Sequence, residues 1–201
     1  MIYGFPIENL VFGKISNLSN IIRFSTELRL HDENVAEHSY WVAMFSFMIA
    51  THLTQEEQVR LDWRVLMGKA CLHDVEESVS GDFPRPFKHS TPELLHAIET
   101  ATRIAAKEVA NELSPDHSDF FYHCWERAKD GTPEGCIVAL ADFLSVLRWG
   151  MVEVSLGNTG MRKKLLPMSN YLNTFDGAEY CFLSSVILQT KKLTEELLYA
   201  D

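Results

Sequence analysis

The sequence has little of what marks a secreted, membrane-bound or nucleic-acid-binding chain. Its four cysteines, Cys71, Cys124, Cys136 and Cys181, stand far apart with no C-x-x-C pair. That spacing argues against a disulfide framework and for reduced thiols, read here as core residues, in a cytoplasmic setting. Lys and Arg number 18 against 28 Asp and Glu, a net charge of −10. No basic surface for polymeric nucleic acid or an anionic membrane is therefore expected. Apolar runs stop short of the ~18 residues that span a bilayer. The stretch Met1-Ile2-Tyr3-Gly4-Phe5-Pro6 lacks the basic region and apolar core of a signal peptide. Strand-like alternation is scarce, and internal repeats and low-complexity segments are absent. What is present is 201 residues, 46% of them hydrophobic, enough for one domain over residues 1–201 with a sizeable core.

A period near 3.6 dominates and predicts an all-α fold. A first helix is expected from about Ser16 to Leu28, with Leu18, Ile21, Ile22 and Ser25 inward. A second should begin after the N-cap Asn34 and carry Val35, His38, Trp41, Val42, Phe45 and Ile49. Thr54-Gln55-Glu56-Glu57 has the form of a capping box opening a helical stretch towards Leu66, Ala70 and His73. Two prolines and a glycine make Gly81-Asp82-Phe83-Pro84-Arg85-Pro86 a loop. Thr91-Pro92, Ser114-Pro115 and Thr132-Pro133 each set a capping residue before a first-turn proline. The first should start a helix lasting to about Leu113 and the third one lasting to about Leu156. A final helix is expected from about Ala178 to Tyr199, with residues 157–173 a loop bearing Arg162-Lys163-Lys164.

The chemistry concentrates in a few places. His73-Asp74 puts two strong metal ligands side by side at the polar end of an apolar segment. Asp142 lies in the almost continuously apolar stretch from Cys136 to Leu147, where an unpartnered carboxylate costs several kcal/mol or takes up a proton. His38 shares its side of a helix with Val35, Trp41 and Val42. Each has a plainer reading, a surface pair, a wetted stripe or a hydrogen-bonded core imidazole. Together, His38, His73, Asp74 and Asp142 offer two imidazoles and two carboxylates from three helices. That set suits one divalent transition metal (cobalt, manganese, zinc or iron), with positions left for water and substrate. Glu77, at i+4 from His73 and i+3 from Asp74, projects over the same face as a candidate acid or base. Glu76, on another face, is expected to be solvated.

The spaced elements Arg23-Phe24, Glu33-Asn34-Val35-Ala36-Glu37-His38-Ser39, His73-Asp74-Val75-Glu76-Glu77, Gly81-Asp82-Phe83-Pro84 and Ala141-Asp142 resemble the HD-domain superfamily of metal-dependent phosphohydrolases. They are most similar to the bacterial 5′-deoxynucleotidases and the related phage deoxynucleoside triphosphate hydrolases, from about Ser16 to Arg148. The resemblance implies a single HD-domain helical bundle. It gives His38, His73, Asp74 and Asp142 to the metal, Glu77 to acid/base work, and Asp82 to a supporting role near the attacking water or substrate. Arg23 and Lys88 become phosphate contacts. Deoxynucleotidases carry a tryptophan near the sugar where this chain has Phe24, which keeps an apolar wall but no N–H donor.

The implied reaction is hydrolysis of a deoxynucleoside 5′-monophosphate, a small-molecule substrate. The alternative is the same chemistry on a triphosphate such as dATP. A non-catalytic nucleotide-binding regulatory module would have lost a ligand or Glu77, and none is lost. A cyclic-dinucleotide phosphodiesterase would carry a G-Y-P motif after His73-Asp74, and it is absent. Relatives commonly dimerise, so a homodimer or higher homo-oligomer is expected.

Overall fold

Helix starts are where this chain's local chemistry is plainest. Asn34 Oδ1 accepts from Glu37 N at 2.9 Å, and Glu37 Oε2 accepts from Asn34 N at 3.1 Å, closing a reciprocal cap. Thr91 and Thr132 accept from Leu94 N and Gly135 N, each one residue ahead of a proline in the first turn. The computed structural model describes residues 7–56 and 59–199; the stretch read for a signal peptide, and Glu57 of the expected capping box, lie outside them.

The described residues form an all-α fold. In chain order come α1 (Ile7–Phe12), a 3₁₀ stretch (Lys14–Asn20), α2 (Val35–Glu56) and α3 (Trp63–Leu72). The single turns α4 (Glu77–Ser80) and α5 (Arg85–Lys88) follow, then α6 (Pro92–Ala110), α7 (Pro115–Glu126) and α8 (Pro133–Ser155). The chain ends with α9 (Thr159–Tyr171), two further 3₁₀ stretches (Leu172–Phe175 and Ala178–Leu183) and α10 (Ser184–Tyr199). Among the described residues the only strand-like feature is an antiparallel bridge between Ile22 and Asn34.

The main core lies where α2, α3, α8 and α9 meet, around Val42, Leu53, Leu66, Ile137, Leu140 and Leu165. A smaller cluster of Leu18, Val35, Val75, Val109 and Phe121 ties the N-terminal segment to α6 and α7. One helix among the described residues, α8, is long and apolar enough to cross a membrane, which corrects the expectation drawn from run lengths. With 67% of its apolar window buried by its neighbours, it behaves as the central core helix. Cys124 and Cys136 are buried as expected, whereas Cys71 and Cys181 are exposed; all four are free thiols.

Four local expectations fail, each for a tertiary reason. The helix foreseen over Ser16–Leu28 is a 3₁₀ stretch, then extended chain and turns, because Val35 N and Arg23 N bond to Ile21 O and Glu33 O at 3.0 and 2.9 Å. Thr54 does not open a helix. Its hydroxyl donates back to Ala50 O at 2.8 Å inside α2, and Asp62 caps α3 by accepting from Arg64 N and Val65 N. The loop of residues 81–86 gives way at Arg85 to one helical turn, with Pro86 in its first positions. Residues 159–171 are helical despite Pro167, because Met161 and Leu165 seat on α8, where Gly150 has no Cβ to collide with Leu165.

Candidate metal centre and active site

Helix α3 stops at Leu72, and His73 to Glu76 form a tight turn before α4, with Val75 N bonded to Leu72 O at 3.0 Å and Glu77 N to Asp74 O at 3.1 Å. The turn aims His73 and Asp74 at His38, one turn into α2, and at Asp142, midway along α8. His38 Nε2 lies 3.1 Å from His73 Nε2, 3.1 Å from Asp142 Oδ1 and 3.4 Å from Asp74 Oδ2. His73 Nε2 lies 3.1 Å from Asp74 Oδ2 and 4.0 Å from Asp142 Oδ1.

The donor set fits one divalent cation. Ligand atoms bonded to one ion at about 2.1 Å lie roughly 3.0–3.4 Å apart in octahedral or tetrahedral arrangements, the separation that relates His38, His73 and Asp74 here. These three form a group whose ligand atoms all lie within 4.8 Å of one another. His73 Nδ1 lies 2.9 Å from Ala70 O, which can only accept, so a neutral His73 presents the lone pair of Nε2 inward. His38 Nδ1 is held by Ser145 Oγ at 3.0 Å. Two imidazole lone pairs facing each other repel unless a cation or a proton lies between them.

The charges are correspondingly perturbed. Burial opposes ionisation of Asp74, but His73 and hydrogen bonds from His38 and His73 hold it well below the usual carboxylate range. Asp142 is also held far down, against burial, by Lys129 and His38. Burial and Arg23 oppose an imidazolium at His38, yet Asp142 and Asp74 outweigh them and raise its pKa.

Glu77 stands at the opposite extreme. Burial, then the charges of Asp74 and Asp82, push it up to about 10, and its Oε2 is buried with no hydrogen-bond partner. Asp82 follows Gly81, whose φ of 74° makes the turn that brings the carboxylate back. Burial raises Asp82, countered in part by Arg23 and the Phe24 amide. Glu76 is not solvated as expected: it is half-buried, accepts from Trp125 Nε1 at 2.5 Å, and is pushed up to about 7 by burial and Asp74.

Arg23 sits beside this cluster, buried, with NH1 on Glu33 Oε2 at 3.0 Å and its Nε without a partner. Glu33 is itself 2% exposed, and Arg148 NH1 approaches its other oxygen at 3.6 Å. Phe24 adopts φ 55°, an unusual conformation for a bulky residue. Stacking on Trp149, with centroids 3.9 Å apart and planes 15° apart, and a bond from Glu27 N to Phe24 O at 2.9 Å hold it there. Lys88 ends α5 half-buried and makes no ion pair among the described residues, so the structure does not join it to the cluster.

Four residues of the site carried no role in the sequence reading. Glu33 lies within the recognised stretch but has no helical partner that would flag it. Trp149 reaches Phe24 only through the fold. Ser145, three residues after Asp142 on α8, has only that spacing to mark it. Lys129, whose Nζ meets Asp142 Oδ2 at 2.5 Å, comes from the turn between α7 and α8 and has no local signal at all.

A family model described as 5′-deoxynucleotidase YfbR-like matches residues 11–190 of this chain. A 5′-deoxynucleotidase of Yersinia pseudotuberculosis is 23% identical over 190 residues, covering 94% of this chain and 96% of its own. A solved HD-domain phosphohydrolase of Listeria innocua superposes with a TM-score of 0.73 at 25% identity, covering 95% of this chain and 92% of its own. The fold is also that of the cyanophage S-2L HD phosphohydrolase, solved with dA and one catalytic Zn²⁺, at a TM-score of 0.57 and 17% identity over 90% of this chain and 96% of that one.

Proposed function

This chain belongs to the YfbR-like 5′-deoxynucleotidase family, and we propose that it is a divalent-metal-dependent phosphohydrolase that cleaves a deoxynucleoside 5′-monophosphate to deoxynucleoside and phosphate. The observation that carries this reading is the convergence of His38 and His73 Nε2, 3.1 Å apart, with carboxylate oxygens of Asp74 and Asp142 beside them. In this reading His38, His73, Asp74 and Asp142 hold one divalent cation. Nitrogen-and-oxygen ligation suits zinc, cobalt, manganese or iron, and the zinc of the cyanophage protein supports that choice. Such an ion supplies Lewis acidity to water and to a phosphoryl oxygen.

The remaining work falls to the chain. With NH1 tied to Glu33, Arg23 keeps its unpartnered Nε free to donate to a phosphate oxygen. Burial and the charges of Asp74 and Asp82 favour the protonated form of Glu77, and its unpartnered Oε2 is the atom that passes a proton to the leaving 5′-oxygen. Asp82, close enough to raise Glu77, keeps that proton in place. Phe24, backed by Trp149, is the apolar wall against the sugar, and Lys88 is a second phosphate contact from the rim. Four free thiols support a reducing, cytoplasmic setting. Exposed Leu188 and Leu193 on α10, and Tyr40, Met44, Phe47 and Met48 on α2, support a homodimer or higher homo-oligomer formed by one-domain chains.

Phosphate release by metal-stripped protein resupplied with Mn²⁺, Co²⁺, Zn²⁺ or Mg²⁺, on deoxynucleoside and ribonucleoside monophosphates and deoxynucleoside triphosphates, tests this. Nucleoside plus phosphate from the deoxy monophosphates is expected. Turnover confined to triphosphates would replace the monophosphate reading with the triphosphate one.

A further inference from the structure

Among the described residues, Lys129 is the one lysine or arginine from outside the recognised stretches that pairs with a carboxylate of the cluster. Its ammonium meets Asp142 Oδ2 at 2.5 Å, while Oδ1 of the same carboxylate faces the two imidazoles. The two residues are not helical neighbours. Lys129 lies in the turn before α8, and the fold builds that turn deliberately: Lys69, 2% exposed, bridges Asp130 Oδ1 at 2.5 Å and Thr132 Oγ1 at 2.8 Å. Asp142 is also the loosest of the four candidate ligands, 4.0 Å from His73 Nε2 and outside the group formed by His38, His73 and Asp74.

We propose that Lys129 is a positioning residue of the metal centre. It claims Oδ2 of Asp142, leaves Oδ1 as that carboxylate's one ligand atom, and so weakens its hold on a divalent cation. The inference rests on the metal reading above. Two effects run in the same direction: a carboxylate shared with an ammonium donates less charge, and a fixed positive charge beside the cation's place repels it. A four-ligand centre of high affinity becomes one whose cation exchanges.

The variants are Lys129→Met, which keeps the stem, Lys129→Gln, and Lys129→Arg, which keeps the charge. Since 39% of the Lys129 side chain is exposed, none of them opens a core cavity. Co²⁺ stoichiometry and dissociation constant are measured by chelator competition, alongside kcat, KM and thermal stability. Wild type is expected to take up one Co²⁺ per chain. Lys129→Met and Lys129→Gln should bind it roughly tenfold more tightly, with Lys129→Arg close to wild type. A merely structural role would lower stability and leave the dissociation constant unmoved, which overturns the inference; weaker binding in either uncharged variant overturns it too. No uptake by wild type would overturn the metal reading and, with it, this one.

Discussion

Asp142 and Glu153 are both acids in the apolar helix α8, about three turns apart, and they end in opposite circumstances. Glu153 is fully buried, and its two oxygens accept from Leu30 N, His31 N, His31 Nδ1 and Asn158 Nδ2 at 2.7–3.0 Å. Burial opposes its ionisation, but these donors outweigh it and bring the pKa to about 2. Each of these four groups gives it a hydrogen. Asp142 instead faces two imidazoles whose Nε2 atoms lie 3.1 Å apart, and among the described residues the cation paired with it, Lys129, sits on its outer oxygen. Burial of an acid therefore does not distinguish a clasp from a ligand; the kind of partner does. Glu153 ties the segment after Phe24 to the end of α8, so the clasp also holds the wall of the candidate site.

The largest effect that can separate the two is on turnover. Asp142→Asn should lower kcat at least about 10³-fold and abolish the rise in melting temperature on adding Co²⁺, a rise worth about 4 kcal/mol at a thousandfold excess over the dissociation constant. Thermal melts with and without metal, beside steady-state rates, check both. If the variant keeps the metal-induced rise, Asp142 is no ligand.

Next comes stability. Glu153→Ala should cost about 3 kcal/mol, a fall in melting temperature of roughly 6–12 °C with or without metal, and leave Co²⁺ affinity unchanged. The pH dependence follows from the same shift. The folded pKa lies below the unfolded one, so this stabilisation is complete above pH 4.5 and is lost as pH falls towards 2. Acid melts of wild type and Glu153→Ala should therefore draw together below pH 4.5 and converge only as pH approaches about 2. Parallel curves over that range would deny Glu153 its clasp role.

The smallest effect tests an intermediate case. Glu33 is as buried as Glu153, but its partners are two arginines, one of which faces the candidate phosphate site. Glu33→Gln should raise KM for a deoxynucleoside monophosphate about 5- to 10-fold, with kcat little changed, as Arg23 loses its tether. An unchanged KM would make the pair structural only.

Much of this contrast was open to reading along the chain, and part of it was not. Thr132-Pro133 announced α8 within a residue, and Asn34 announced α2, because caps are local chemistry. His38, His73, Asp74 and Asp142 were legible as ionisable residues set in apolar helices, and they do converge. The segment before α2 was misread as helix because the bonds that extend it come from Glu33 and from Glu153, far along the sequence. Helix α9 was hidden by Pro167, although Met161, Leu165 and Leu172 keep a helical spacing that would have shown its buried face. Glu76 and Lys129 were opaque for a different reason: Trp125 and Asp142 reach them only once α7 and α8 have packed.

The central claim is that the imidazole–carboxylate cluster binds one divalent cation and that Glu77 then moves the proton. The most direct test compares wild type with Glu77→Gln for cobalt uptake and phosphate release from a deoxynucleoside monophosphate. The account predicts one Co²⁺ per chain in both proteins, with release lowered about 10²- to 10⁴-fold in the variant. Failure of wild type to take up a cation, or a Glu77→Gln protein that turns over at the wild-type rate, would contradict it.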